Sequence, residues 1–210
     1  MADKTHDRFQ LERMAFFSDA VFAIAITLLV IELRLPEISI RDNHALSEAL
    51  MELTPKFGGF LISFFVIGRF WVGHHRAIGH LRTCDDGLIW RNLLFLLTIA
   101  FMPFPTAVIS EYGDTALGIG FYAGWLMVSG LLYRILLVYG LRSPALVNPH
   151  DATEPRDAMI HASWAPLVVG GLALILCIVH PALALVPLFA SPLIVPGINW
   201  IAKRIARVTV

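Results

Sequence analysis

The stretch that decides the fold is RMAFFSDAVFAIAITLLVIEL, Arg13 to Leu33. A helix needs about 20 mainly apolar residues to cross the hydrocarbon core of a bilayer, and this run is long enough. Ser18 and Asp19 sit inside it. A carboxylate at membrane depth is costly and faces protein or a water pathway rather than lipid, so Asp19 needs a partner.

The rest of the chain agrees with a membrane setting. Of 210 residues, 57% are hydrophobic and only 15% charged, outside the range of ordinary soluble domains. Sixteen basic and sixteen acidic residues leave no net charge, so no nucleic-acid partner is expected. Cys84 and Cys177 lack the spacing of a metal or redox motif, and no cofactor or bound metal is expected. The amino terminus has mixed charge and no cleavage pattern after a short apolar core, so the first apolar run is read as retained.

Six spans follow from the apolar runs, at about 14–34, 57–79, 88–109, 116–140, 158–180 and 181–202. The last two form one apolar stretch, too long for a single crossing, and Pro181 divides it into a hairpin. Between the first two spans, LSEALMEL predicts a short amphipathic helix or an extension of the second span; 143–157 is a loop by its prolines and turn residues. The expected architecture is an all-α integral membrane domain covering 1–210, with no internal repeat between its halves. Lys and Arg then set orientation. Lys4, Arg8, Arg13, Arg76, Arg82, Arg91, Arg142, Arg156, Lys203, Arg204 and Arg207 fall on one side, against Arg34, Arg41 and Lys56 on the other, which places both termini in the cytoplasm.

On the first helix, at about 100° per residue, Leu28 and Ile31 lie close to the azimuth of Ile24, with Val21 and Thr27 flanking and Ala20 and Phe17 continuing the face. Asp19 lies about 140° away, in a stripe with Phe22, Ile26, Leu29 and Leu33. The carboxylate and the Ile24 stripe therefore meet different neighbours. About 9 Å inside the span, Asp19 shares its depth with Arg69, Trp71, His74, His75, Arg76, Arg91 and Asn92, the candidate donors to Ser18 and Asp19. A structural anchor between helices is one reading of Asp19, and a proton-relay or ion site is the other.

Arg13 followed by the triplet Phe17, Ser18 and Asp19 and the aliphatic stripe resembles the signature of the endosomal and lysosomal potassium channel family, transmembrane protein 175. FWVGHHR late in the second span and RNLLFLLTIAFMPFPT in the third resemble its bacterial branch. The resemblance implies a potassium-permeable channel in the bacterial inner membrane, a homotetramer of six-span chains whose first helices line a central pore. It also implies an isoleucine constriction five residues after the aspartate, at Ile24, with further narrow layers at Leu28 and Ile31. A TVGYG-type carbonyl filter is absent, so only a modest preference for K+ over Na+ is expected.

An apolar ring closes a pore by dewetting, and Thr27 offers a hydroxyl to a passing cation. Glu32, Glu37 and Asp42 either draw cations to the outer mouth or belong to a solvated loop. Arg13 falls near the Ile24 azimuth, which puts a cation at the inner mouth. The expected motif network is Arg13, Phe17, Ser18, Asp19, His74, His75, Arg76 and Asn92.

Rival readings use the same residues. A proton channel or leak, or a proton-coupled cation transporter, would run through Asp19 with His74 or His75, making H+ and Na+ further candidate permeant ions beside K+. A histidine-box metalloenzyme would use His74, His75 and His80. Their spacings place them on different helix faces, so pH sensing or helix bonding suits them better than metal ligation. Gly118, Gly120, Gly124 and Gly130 are read as packing residues, Trp125, Trp164 and Trp200 as packing or interfacial anchors, and Pro103 and Pro105 as a bend.

Overall fold

The computed structural model describes residues 2–36, 42–148 and 156–190, with side chains described from residue 9 onward. Its long helices are α1 (Ala2–Leu28), continued by a 3-10 turn at Leu29–Glu32, α3 (Thr54–Gly79), the pair α4 (Asp86–Phe101) and α5 (Pro103–Tyr112), α6 (Ala116–Arg142), and the pair α7 (Arg156–Ala162) and α8 (Ala165–Val179). A short α2 (Asn43–Glu52) precedes α3, and α9 (Pro181–Ala190) follows α8. Five helical segments among the described residues are long and apolar enough to cross a membrane: Phe9–Glu32, Thr54–Gly79, Asp86–Tyr112, Ala116–Arg142 and Arg156–Val179.

The breaks fall where backbone chemistry demands them. At His180 the backbone is extended, and Pro181, which has no N–H to donate to the preceding turn, opens α9. The expected break at Pro181 is present, while residues 191–202 of the expected sixth span and Trp200 lie outside the described residues. Pro103 begins α5 after Met102, and the Thr106 amide still reaches the Met102 carbonyl at 3.1 Å, so the third span bends without being severed. LSEALMEL falls in α2 with Leu53 as its C-cap, and the first turn of that helix is capped by Asp42 accepting from the Ala45 amide at 2.8 Å. Asp42 is thus a helix cap; Glu32 is exposed and Glu37 lies outside the described residues.

The core forms around α6, which packs against α4, α5 and α8, while α1 packs against α3 and α4. Phe22, Ile67, Phe95, Ile99 and Tyr122 are all but fully buried in it. Phe70 meets Phe95 and Tyr133 edge-on at centroid separations of 5.5 and 5.4 Å, a geometry favoured by the ring quadrupoles. Small residues let α6 and α8 approach: a side chain at Gly130 would strike Pro166, and one at Gly170 would strike Met127 and the Ala123 carbonyl. A side chain at Gly124 would meet open space, so that glycine carries no packing role.

Several interior polar groups are satisfied within the bundle, as a membrane interior favours. Thr106 and Tyr122 converge on Ser63 at 2.7 and 3.0 Å. Trp125 donates its indole N–H to the Thr98 carbonyl at 3.0 Å, tying α6 to α4. At the break between α7 and α8, Arg134 donates to the Ile160 carbonyl at 2.7 Å and the Ser163 hydroxyl at 3.1 Å, with its guanidinium 4.1 Å from the Trp164 ring centroid. Arg134 and Trp164 thereby close the open carbonyl end of α7.

Candidate functional site

The site is built on α1, whose buried residues Leu11, Met14, Ser18, Phe22, Ala25 and Leu29 recur at intervals of three and four. That spacing is one face of an α-helix, and it fixes which side of α1 meets α3 and α4. Ser18 is completely buried. Its hydroxyl donates to the Met14 carbonyl at 2.8 Å and accepts from the Asn92 amide of α4 at 2.9 Å. With the Asn92 nitrogen so engaged, its oxygen faces His74 Nε2 of α3 at 2.7 Å. An amide oxygen only accepts, so Nε2 is the protonated nitrogen of His74. Three helices are joined by one chain of side-chain hydrogen bonds, and His74 is held between Phe22 and Phe95 at centroid separations of 5.6 and 6.0 Å.

Asp19 lies about 100° around the helix from Ser18 and is half-buried at the seam between α1 and α3. Its Oδ1 accepts from the Trp71 indole N–H at 2.8 Å, and it makes no salt bridge among the described residues. Of the stripe that holds Asp19 with Phe22, Ile26, Leu29 and Leu33, Phe22 and Leu29 are buried and the other three half-buried. Ser18 is the motif residue driven into the core, and Asp19 sits on its flank because consecutive residues point about 100° apart.

Of the seven candidate donors, the structure brings Trp71 and Asn92 to the motif directly and His74 through Asn92. The others turn elsewhere. His75 is exposed and packs on Trp71 at 5.6 Å. Arg91 donates to the Gly87 carbonyl at 2.7 Å and lies 3.8 Å from the Tyr139 ring centroid, while Tyr139 donates to Asp85, the cap of α4. Arg69 and Arg76 line a separate cleft. Arg13 is exposed, with its guanidinium 5.9 Å from the Phe9 ring centroid, and Phe17 is 53% exposed. Among the described residues no three His, Cys, Asp or Glu side chains are grouped so as to hold a metal ion.

The opposite face of α1 is uncovered. Ile24, Leu28 and Ile31 are 59%, 39% and 49% exposed, and Ala20, Ala23 and Thr27 are exposed between them. The Thr27 hydroxyl donates to the Ile24 carbonyl at 2.9 Å, which leaves oxygen lone pairs directed away from the helix. Other exposed apolar residues, such as Val168, Ile175 and Ile178 on α8, suit contact with lipid. The α1 face differs in its small residues and its hydroxyl.

A helical bundle with several spans long and apolar enough to cross a membrane, and with a long first helix presenting an uncovered face, is an integral membrane protein. The profile of the endosomal/lysosomal potassium channel TMEM175 family matches residues 13–103. A potassium channel of Chamaesiphon minutus is 37% identical over 150 residues, covering 70% of this chain and 74% of the relative. One of Streptomyces collinus is 34% identical over 167 residues, covering 75% and 80%. The human endosomal/lysosomal proton channel TMEM175 is 25% identical over 177 residues, covering 84% of this chain and 35% of the human protein. In structure, the chain superposes on a lysosomal potassium-selective channel TMEM175 homolog from Chamaesiphon minutus with a TM-score of 0.78 at 28% identity, covering 90% of this chain and 98% of the other. The chain belongs to the TMEM175 family of ion channels, which are not enzymes.

Proposed function

We propose that this chain is a potassium-permeable cation channel of the bacterial inner membrane, built from four copies of a six-span subunit with cytoplasmic termini. The observation that carries the reading is the uncovered face of α1, where Ile24, Leu28 and Ile31 stack at helical spacing with Thr27 beside them. In a tetramer with α1 at its axis, the Ile24 side chains form a ring that closes the passage by dewetting, without any charge. Thr27 supplies oxygen lone pairs of the polarity a cation needs, since its proton is already given to the Ile24 carbonyl. The relatives named as potassium channels support K+ as the principal ion.

Ser18, Asn92 and His74 have a positioning role in this reading. They fix the azimuth of α1 from behind, and the Asp19 to Trp71 bond holds its flank. Flux measurements in liposomes test the assignment: Ile24→Ala and Ile24→Asn are expected to raise K+ leak. Conductance and ion preference unchanged in both variants would refute an Ile24 constriction.

Proton conduction through the same passage is the second reading, favoured by the vertebrate relatives named as proton channels. A relay between Asp19 and His74 has less support, because Asp19 bonds Trp71 while His74 Nε2 bonds Asn92. Opposed K+, Na+ and H+ gradients in the same liposomes separate the two, and a flux coupled to a second gradient would mark a transporter.

A further inference from the structure

On the far side of α3 from its contact with α1, a cleft of about 130 Å³ opens between α3, α6 and the α7–α8 break. Its walls are apolar, including Phe65, Met159, Pro166 and Val169. Its polar groups are Arg69, Arg76, Tyr133 and Ser163, and no carboxylate lines it.

The arginines are seven residues apart, on one face of α3 and about 10 Å apart along the axis, with Gly73 between them. Gly73 is required there, since any side chain would collide with the Tyr133 hydroxyl. Tyr133 is only 7% exposed, yet its hydroxyl has no hydrogen-bond partner among the described residues. Arg69, exposed beside it, forms no salt bridge or hydrogen bond among them either. The Tyr133 hydroxyl opens into the cleft without a partner among the described residues and Arg69 is an unpaired guanidinium within a span, so a single anion between them would serve both. Ser163 is already committed to Ile160 and Arg134.

We propose that this notch holds the phosphate of an anionic phospholipid, with its acyl chains along the apolar wall of the cleft. Depth and charge select a lipid. Gly73 lies about 9 Å from the end of α3, near headgroup level, on the side that also carries Arg76, Arg82 and Arg91. Basic pockets between spans on that side suit anionic headgroups, and the guanidinium fork matches a phosphate. A small soluble anion would leave the apolar wall uncovered.

Native mass spectrometry of the delipidated full-length channel tests this with phosphatidylglycerol, phosphatidylcholine of the same chains, and inorganic phosphate as competitor. The parent is expected to retain phosphatidylglycerol in preference to phosphatidylcholine and to resist displacement by phosphate. Loss of one charged hydrogen bond in Arg69→Gln should weaken that binding about tenfold, Arg69→Lys should recover part of it, and Tyr133→Phe should weaken it about fivefold. Tyr133→Phe removes a single oxygen and remains decisive if Arg69→Gln does not fold. Equal retention of the two lipids, parent-like binding by Tyr133→Phe, or full displacement by inorganic phosphate would each overturn the proposal. So would an Arg69→Gln variant that changes subunit stoichiometry while its lipid binding stays the same.

Discussion

Replacing Asn92 with leucine tests whether the hydrogen-bonded chain behind α1 holds that helix in place. Asn92 is almost fully buried and joins Ser18 to His74 at 2.9 and 2.7 Å. Leucine keeps the branched four-atom side chain at a somewhat larger volume but removes both bonds. His74 then keeps a buried Nε2 proton without an acceptor, a loss of about 1–3 kcal/mol, whereas Ser18 retains its bond to Met14 and loses less. Hydrogen bonds between membrane helices average nearer 0.6 kcal/mol, because the unfolded chain in lipid also finds partners. The two considerations together put the cost of Asn92→Leu at about 2 kcal/mol. For a chain of this length that corresponds to a fall in Tm of roughly 4–8 °C.

The discriminating comparison is the triple variant Ser18→Ala, His74→Phe, Asn92→Leu. With every partner made apolar, no donor is left stranded, so the triple variant should be more stable than Asn92→Leu alone. Thermal unfolding in detergent, followed by the fraction of intact oligomer, measures both. K+ leak in liposomes then reports whether α1 has turned. A triple variant at least as destabilised as the single one would refute the satisfied-chain reasoning. An Asn92→Leu variant with unchanged Tm would refute the premise that the chain holds the helix.

Asp19→Ala and Trp71→Phe remove the two ends of one bond, so their effects on oligomer stability should be non-additive, with a coupling of about 1 kcal/mol in a double-mutant cycle. Asp19→Ala should harm assembly more than ion selectivity; normal assembly with lost selectivity would move Asp19 to the conduction path. Gly170→Ala would press a methyl group onto Met127 and the Ala123 carbonyl, so α8 should separate from α6 at a cost of about 1–3 kcal/mol, read as a lowered Tm. Gly124→Ala, facing open space, is its control and should leave Tm unchanged.

Much of this protein is decided by local rules that act along the chain. The bilayer demands long apolar helices, so segment length, Pro181 and the Pro103–Pro105 bend are legible one residue at a time. The two faces of α1 are equally legible, because helical periodicity separates Ile24, Leu28 and Ile31 from Phe22 and Leu29 before any neighbour is known. The family resemblance carried by Arg13, Phe17, Ser18 and Asp19 drew attention to α1. What periodicity could not decide is which of several donors at one depth meets which acceptor, since that depends on the rotation and stagger of α3 and α4 against α1. Only packing sent Ser18 to Asn92 and Asp19 to Trp71 while turning Arg69 and Arg76 toward a different cleft. The meeting of Gly73 with Tyr133, 60 residues away in sequence, was likewise invisible until α3 and α6 were packed, because a glycine shows its purpose only through the group that fills the space it leaves.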